Sequence, residues 1–255
     1  MSKAKTTEEL LKHSAQSLEI LKNYILSLIS SDDESDHGKA DKLCYWISDW
    51  AGFLQCERGF SPRSLTTYKR GQIIKVHLGF NIGSEEGGLH YGIVLEKDNT
   101  RSSPVVTIVP LTSVKKDTSI TNLRPGNIYI GDELFAKLNA KASGLQSQIN
   151  SELRYLNQFT STLPEDGIDD TELNIITGLS FMLKAKREKL DKIKKEILKM
   201  KSGSIALLNQ ITTISKLRIY DPKNDEDVFA NIRLSGTLLD VIDEALVRKY
   251  TNINI

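Results

Sequence analysis

The chain has 255 residues, 39% of them hydrophobic and 26% charged, the balance of a globular protein with a sizeable core in one or two domains. A formal net charge of +1 excludes a global field that would draw in nucleic acid, so any basic surface has to be local. Cys44 and Cys56 sit in no ligand cluster and read as reduced thiols. The N-terminus has no basic-then-apolar signal pattern, and no apolar run approaches the ~20 residues of a membrane span, so the expectation is a cytoplasmic protein.

The first sixty residues read as helical. Thr6 and Glu9 have the spacing of a capping box ahead of an apolar series at Leu11, Leu18, Leu21, Ile25 and Leu28. The acidic run from Ser30 to Asp36 interrupts it as a solvated loop. A second helix puts Leu43, Trp46, Ile47, Trp50 and Leu54 on one side, where the tryptophans read as packing residues in preference to a ligand platform. Residues 57–69 have no clear period and read as a linker. Alternation then takes over in Gln72–Leu78, Tyr91–Leu95, Val105–Val109 and Asn127–Ile130. The glycine-rich run Gly83–Gly88 follows the first of these, which argues for a sheet or barrel rather than a βαβ unit.

From Asp132 to Lys201 the period changes again. Phe135, Leu138, Ala142, Leu145, Ile149, Glu152, Leu156, Phe159 and Leu163 keep a three–four spacing. A turn at Pro164–Gly167 follows, and then Ile176, Leu179, Leu183, Lys186, Leu190, Ile193, Ile197 and Met200 repeat it. Two such runs predict an antiparallel coiled-coil hairpin, with Lys186 opposite a helix containing Glu152. Strand texture returns at Ser204–Ile211. The C-terminal stretch predicts a helix capped by Ser235, with Leu238, Ile242 and Leu246 on one face. The expected architecture is α+β: an N-terminal helical region (1–60), a small β-domain with a C-terminal helix (70–131 and 202–255), and a hairpin (132–201) that interrupts it.

The chemistry-bearing residues are few. No histidine–cysteine cluster has metal-ligand spacing, and the nucleophile-elbow, P-loop and dinucleotide fingerprints are missing. Asp240, Asp243 and Glu244 fall on the polar face of the last helix and read as solvated. What remains is the loop Gly83–Gly88, followed by His90. Glycines there let backbone N–H groups approach an anion, although a hairpin loop needs glycine anyway.

The ordered runs Arg70-Gly-Gln-Ile-Ile, Gly83-Ser-Glu-Glu-Gly-Gly88 and Pro110-Leu-Thr-Ser113 resemble the MazF/PemK toxin family. So do Leu207-Leu-Asn-Gln-Ile-Thr-Thr-Ile-Ser-Lys216 and Val241-Ile-Asp-Glu-Ala-Leu246. The resemblance covers about 70–130 and 202–250; the N-terminal helices and the hairpin have no counterpart in compact members. It implies an SH3-like (MazF/PemK/CcdB-type) barrel, a homodimer held by an antitoxin. It also implies cleavage of single-stranded RNA without a metal or cofactor, by 2′-hydroxyl attack that leaves a 2′,3′-cyclic phosphate.

By the same resemblance Thr112 matches the family's phosphate-donating threonine and Ser84 the loop serine. Ser84, Glu85, Gly87, Gly88, Ser113 and Gln210 are the implied substrate-binding set. His90 and Tyr91 stand where the family has arginine and proline, and Thr212 replaces a second arginine. An imidazole titrates near ~6.5 and can relay a proton, but it lacks the bidentate phosphate clamp of arginine. His90 and Thr112 are therefore the candidate catalytic residues, and a non-catalytic module that binds RNA or protein is the rival. Relatives of the barrel that poison DNA gyrase, and so act on a DNA-binding enzyme, find no specific support. The second hairpin helix carries nine basic and three acidic residues between Lys184 and Lys201. It reads as an RNA-contacting arm or as a solvated face that pairs its charges.

Overall fold

The computed structural model describes residues 5–115, 118–164, 167–200 and 203–253. Among these the order is α1 (Thr7–Ile29), α2 (Glu34–Glu57), β1 (Ile73–His77), β2 (Leu89–Val94), β3 (Val105–Ser113) and β4 (Asn127–Gly131). The chain continues with α3 (Glu133–Ser161), α4 (Asp170–Lys199), β5 (Ser204–Leu207), β6 (Thr212–Ser215), β7 (Ile219–Asp221) and α5 (Gly236–Tyr250). It divides into two compact units, Met1–Phe60 with Gly79–Gly88, and Ser61–Leu78 with Leu89–Ile255.

In the first unit the capping box forms as the spacing predicts. The Thr6 hydroxyl accepts from the Glu9 amide at 3.2 Å, and the Glu9 carboxylate accepts from the Thr6 amide at 2.7 Å. The apolar series is buried only toward the end of α1, at Leu28. Leu21 and Ile25 are half-buried, and Leu11 and Leu18 are each 66% exposed. In α2, Ala40 and Leu43 are buried and Trp46 is half-buried, its ring 6.3 Å from that of Phe53. Trp50 is 51% exposed, so the packing expected of both tryptophans is met by one of them. Cys44 and Cys56 are free thiols on the surface.

The second unit is built on an antiparallel sheet of order β4-β5-β3-β2-β1-β7, with β6 also paired to β3. β3 is long because it serves two partners on one edge, β6 along Val105–Ile108 and β5 along Leu111–Ser113. One face of the sheet (Ile73, Ile93, Val109, Leu111, Ala206) shares a single hydrophobic core with Leu134, Leu138, Ile149, Leu190 and Ile193 of the hairpin, Phe229, and Ile242 of α5. The alternate positions Ile74, Val76, Val94, Val106, Ile108 and Ile214 are buried as well, which explains the apolar density of these strands. Tyr68 belongs to the stretch expected to be a linker, yet it is 1% exposed and its hydroxyl donates to the Pro222 carbonyl at 2.7 Å. A contact 154 residues away leaves no local period, and that is why 57–69 looked unstructured.

α3 and α4 leave the sheet between β4 and β5, which are hydrogen-bonded neighbours. Neighbouring strands lie about 4.8 Å apart and packed helices 8–10 Å apart, so the chain must splay as it exits. Gly203 (φ 82°) makes the turn on one side; a Cβ there would meet Val114 at 2.8 Å. Its amide donates to the Asp132 carboxylate, tying the two exits together. Higher up, Lys186 pairs with Glu152 as the spacing predicts, and Lys194 donates to Gln146 at 3.2 Å. Lys141 fastens α3 to the rest of the unit by donating to the carbonyls of Asp227, Val228 and Ala230 at 2.8–3.0 Å. Several α4 cations are thus engaged within the unit, Lys189 with Glu226 at 2.7 Å and Lys199 with Glu196 at 3.7 Å. Glu165 and Asp166 of the expected hairpin turn, and Lys201 at its end, lie outside the described residues.

Ser235 caps α5, and its amide and hydroxyl also donate to Glu133 at 2.6 and 2.8 Å. Asp243, expected to be solvated, pairs with Arg70, which also donates to the Leu95 carbonyl. Its role is to hold α5 on the sheet. No described helix is long and apolar enough to cross a membrane.

Candidate active site

β2 and β3 are paired with Tyr91 opposite Leu111 and Gly92 opposite Pro110. One step further along the same register sets His90 opposite Thr112. The two strands bring these candidates together, with the Nδ1 of His90 3.1 Å from the Leu111 carbonyl. A carbonyl only accepts, so Nδ1 is the donor in this contact. Val76 of β1 pairs with His90 on its other side, and directly paired residues share a face. His90 and Thr112 are therefore on the face opposite Tyr91 and Leu111, which join the hairpin-facing core.

Ser113 follows Thr112 and pairs with Ser204 of β5. Thr112 and Ser113 border a narrow cleft of about 20 Å³, room for one water, together with Asp132, Met200 and Ser204. Gln210 lies in the short helical turn between β5 and β6, beside the stretch of β3 where its two partners change over. Four of the sequence-derived candidates thus sit on or beside β3.

Ser84, Glu85, Gly87 and Gly88 lie in the loop 79–88 of the first unit. That loop is closed by backbone contacts. The Gly88 amide donates to the Gly79 carbonyl at 2.6 Å, and a Cβ on Gly87 would stand 2.8 Å from the same oxygen, so position 87 admits only glycine. Asn81 donates to the Glu86 carbonyl at 2.6 Å. The Glu85 carboxylate accepts from the Ile82 amide at 3.4 Å, a loop-shaping use of a residue expected to meet substrate. Ser84 is exposed.

Two further residues escaped the sequence reading. Arg218 donates through Nε to the His77 carbonyl at 2.8 Å, at the same end of β1 as Val76. Across β2, β1 and β7 the register runs His90, Val76, Ile219, so Arg218 places a guanidinium at the strand end that also carries His90. Glu196 of α4 accepts from the Tyr91 hydroxyl at 2.6 Å and from Lys75. Burial works to raise its pKa, but the bonds from Lys75 and Tyr91 and the charges of Lys75 and Lys199 outweigh it and hold the carboxyl below the ordinary range. Burial, with Glu196 as acceptor, raises the Tyr91 phenol. Only the basic-residue run Lys216-Leu-Arg218 hinted at Arg218, and nothing local hinted at Glu196. Among the described residues no group of three His, Cys, Asp or Glu could hold a metal ion.

A comparison with curated proteins finds no match. Residues 69–164, from the lead into β1 to the end of α3 and the turn beyond it, match the family described as PemK-like, MazF-like toxin of type II toxin-antitoxin system. The β2–β3 pair that carries His90 and Thr112 lies inside the matched segment, and it is this segment of the chain that is similar to the PemK-like, MazF-like toxin family.

Proposed function

We propose that the protein is the toxin of a toxin–antitoxin pair and a metal-independent endoribonuclease acting on single-stranded RNA. The observation that carries this is the placement of His90 beside Thr112 across β2 and β3, within the segment that matches the family. In this reading the sheet is an SH3-like barrel and the α3–α4 hairpin an antiparallel coiled coil. The active species is a cytoplasmic homodimer that an antitoxin covers. His90 Nε2 takes the proton from the RNA 2′-hydroxyl as its oxygen attacks the adjacent phosphorus. The 5′-oxygen of the next nucleotide leaves and takes a proton from solvent water to become a 5′-hydroxyl, a 2′,3′-cyclic phosphate remains, and the Thr112 hydroxyl donates to a non-bridging oxygen as charge builds. Arg218 supplies positive charge at that strand end, where the family's own arginine is replaced by His90.

The replacement of two family arginines by His90 and Thr212 favours a second reading, a barrel that binds RNA or protein without cutting it. A long single-stranded RNA incubated with the protein in EDTA separates the two. The ribonuclease reading expects cyclic-phosphate ends that persist under chelation and fall about 100-fold or more in Thr112→Ala. RNA left intact across many sequences sinks it and leaves the binder.

A further inference from the structure

We propose that the second unit contains a phosphate-binding pocket, separate from the His90–Thr112 pair. A cavity of about 570 Å³ is lined by Lys69, Arg101, Lys223 and Arg233, with Asp225 as its carboxylate and Asn231 in the left-handed conformation (φ 63°) at its wall. That volume is in the range of small-molecule sites, but the chemistry is unlike most of them. Four cations face one anion, hydroxyl and amide groups fill much of the remainder, and no residue lining it is aromatic. Such a surface offers nothing for a base to stack on and a great deal to a phosphate.

The two guanidinium groups are fixed in advance. Arg101 donates through Nε to the Leu65 carbonyl at 3.0 Å, and Arg233 donates through Nε and Nη2 to the Arg70 carbonyl at 3.0 and 2.7 Å. These bonds use one edge of each fork and leave Nη groups for a ligand, the arrangement in which arginine holds phosphate with little further loss of freedom. Gln72 bridges to Arg233 just ahead of β1, whereas His90 pairs with Val76 near its other end. At about 3.3 Å per residue the pocket lies roughly 13 Å along the ladder from that pair. Phosphate could reach it from an RNA backbone or from a free phosphorylated compound, and the pocket stands whether or not the chain cuts RNA.

The full chain is titrated at low salt with a 2′-O-methyl RNA 12-mer, which has no 2′-hydroxyl to attack, and separately with inorganic tripolyphosphate. Two pocket pairs, Lys69→Ala with Lys223→Ala and Arg101→Ala with Arg233→Ala, are compared with a control pair of exposed lysines on α1 and α2, Lys12→Ala with Lys42→Ala. Binding weakened at least 10-fold by the pocket pairs and unchanged in the control supports the proposal. A response to the RNA, with a log–log salt slope shallower by about one for each phosphate no longer neutralised, identifies backbone phosphates as the source. A response to tripolyphosphate alone identifies a small ligand. If the arginine pair fails to fold, the exposed lysine pair of the pocket carries the test. Neither probe binding, pocket pairs that bind like the wild type, or an equal weakening in the control would each overturn it.

Discussion

Glu196 and Tyr91 meet across 105 residues of sequence, and the contact explains a substitution that looked arbitrary. Where the resembled family has proline after its loop, this chain has a tyrosine whose hydroxyl reaches a helix that compact members lack. The tyrosine ties β2 to α4. Glu196 is buried and its Lys75 partner nearly so, so Glu196→Ala should cost about 3 kcal/mol by stranding the ammonium, and Tyr91→Phe about 1 kcal/mol; urea midpoints measure both. The folded-state pKa of Glu196 lies below its unfolded value, so its contribution is present above the ordinary carboxylate range and fades as pH falls through the folded value. Wild type should lose more stability than Glu196→Gln between pH 7 and pH 3. Motif spacing is what singled out Thr112, Ser84 and Gly87 as candidates at this scale. Glu196, Arg218 and the Arg70–Asp243 pair were not, because each is completed by a partner distant in sequence.

At the scale of elements the hairpin was the most legible part of the chain and also the most incompletely read. Its spacing marked out two helices and set Lys186 opposite the helix that contains Glu152, but periodicity says only that a face is apolar, not what covers it. Near the sheet that cover is shared, since Leu134, Leu138, Ile149 and Ile193 belong to the same core as Ile73 and Phe229. Leu138→Ala should therefore destabilise the whole unit by about 2–5 kcal/mol. Replacing residues 133–200 with a short Gly-rich bridge should leave a chain that does not fold, whereas removing only 155–182 should leave near-native circular dichroism and a cooperative melt. A full deletion that melts cooperatively would show that the sheet needs no hairpin. The strands were legible through alternation, but the length of β3 was not, because serving two partners is a property of the sheet.

Across the whole molecule, protection should be uneven. Strands β1, β2 and β3 bury residues on both faces, while every side chain of α1 from Thr7 to Ile20 is exposed. Amides in those first turns should exchange with deuterium within seconds, and those of β1 to β3 should persist for hours, since opening free energy follows local burial. Uniform protection would mean that α1 gains a cover through association. Charge is uneven too: residues 1–60 hold ten acidic and seven basic side chains, and the pocket by Lys69 and Arg233 holds four cations against one carboxylate. A net charge of +1 conceals both, which is why composition pointed to no partner.

The exits of the hairpin bear on how such a chain can change over time. A long flexible loop joining two strands costs closure entropy that grows with its length, whereas α3 and α4 return the chain to its starting point by packing on each other. The sheet meets the lower turns of both helices, through the shared core as far as Ile149 and Leu183, and the two exits are fastened by Asp132 and Gly203 between hydrogen-bonded neighbours. Above the shared core, the hairpin can therefore lengthen, shorten or be exchanged in whole turns without altering the distance the sheet must span. The β4–β5 junction is a socket, and a hairpin of another length or surface charge grafted above Ile149 and Leu183 should leave the strands beneath it in register.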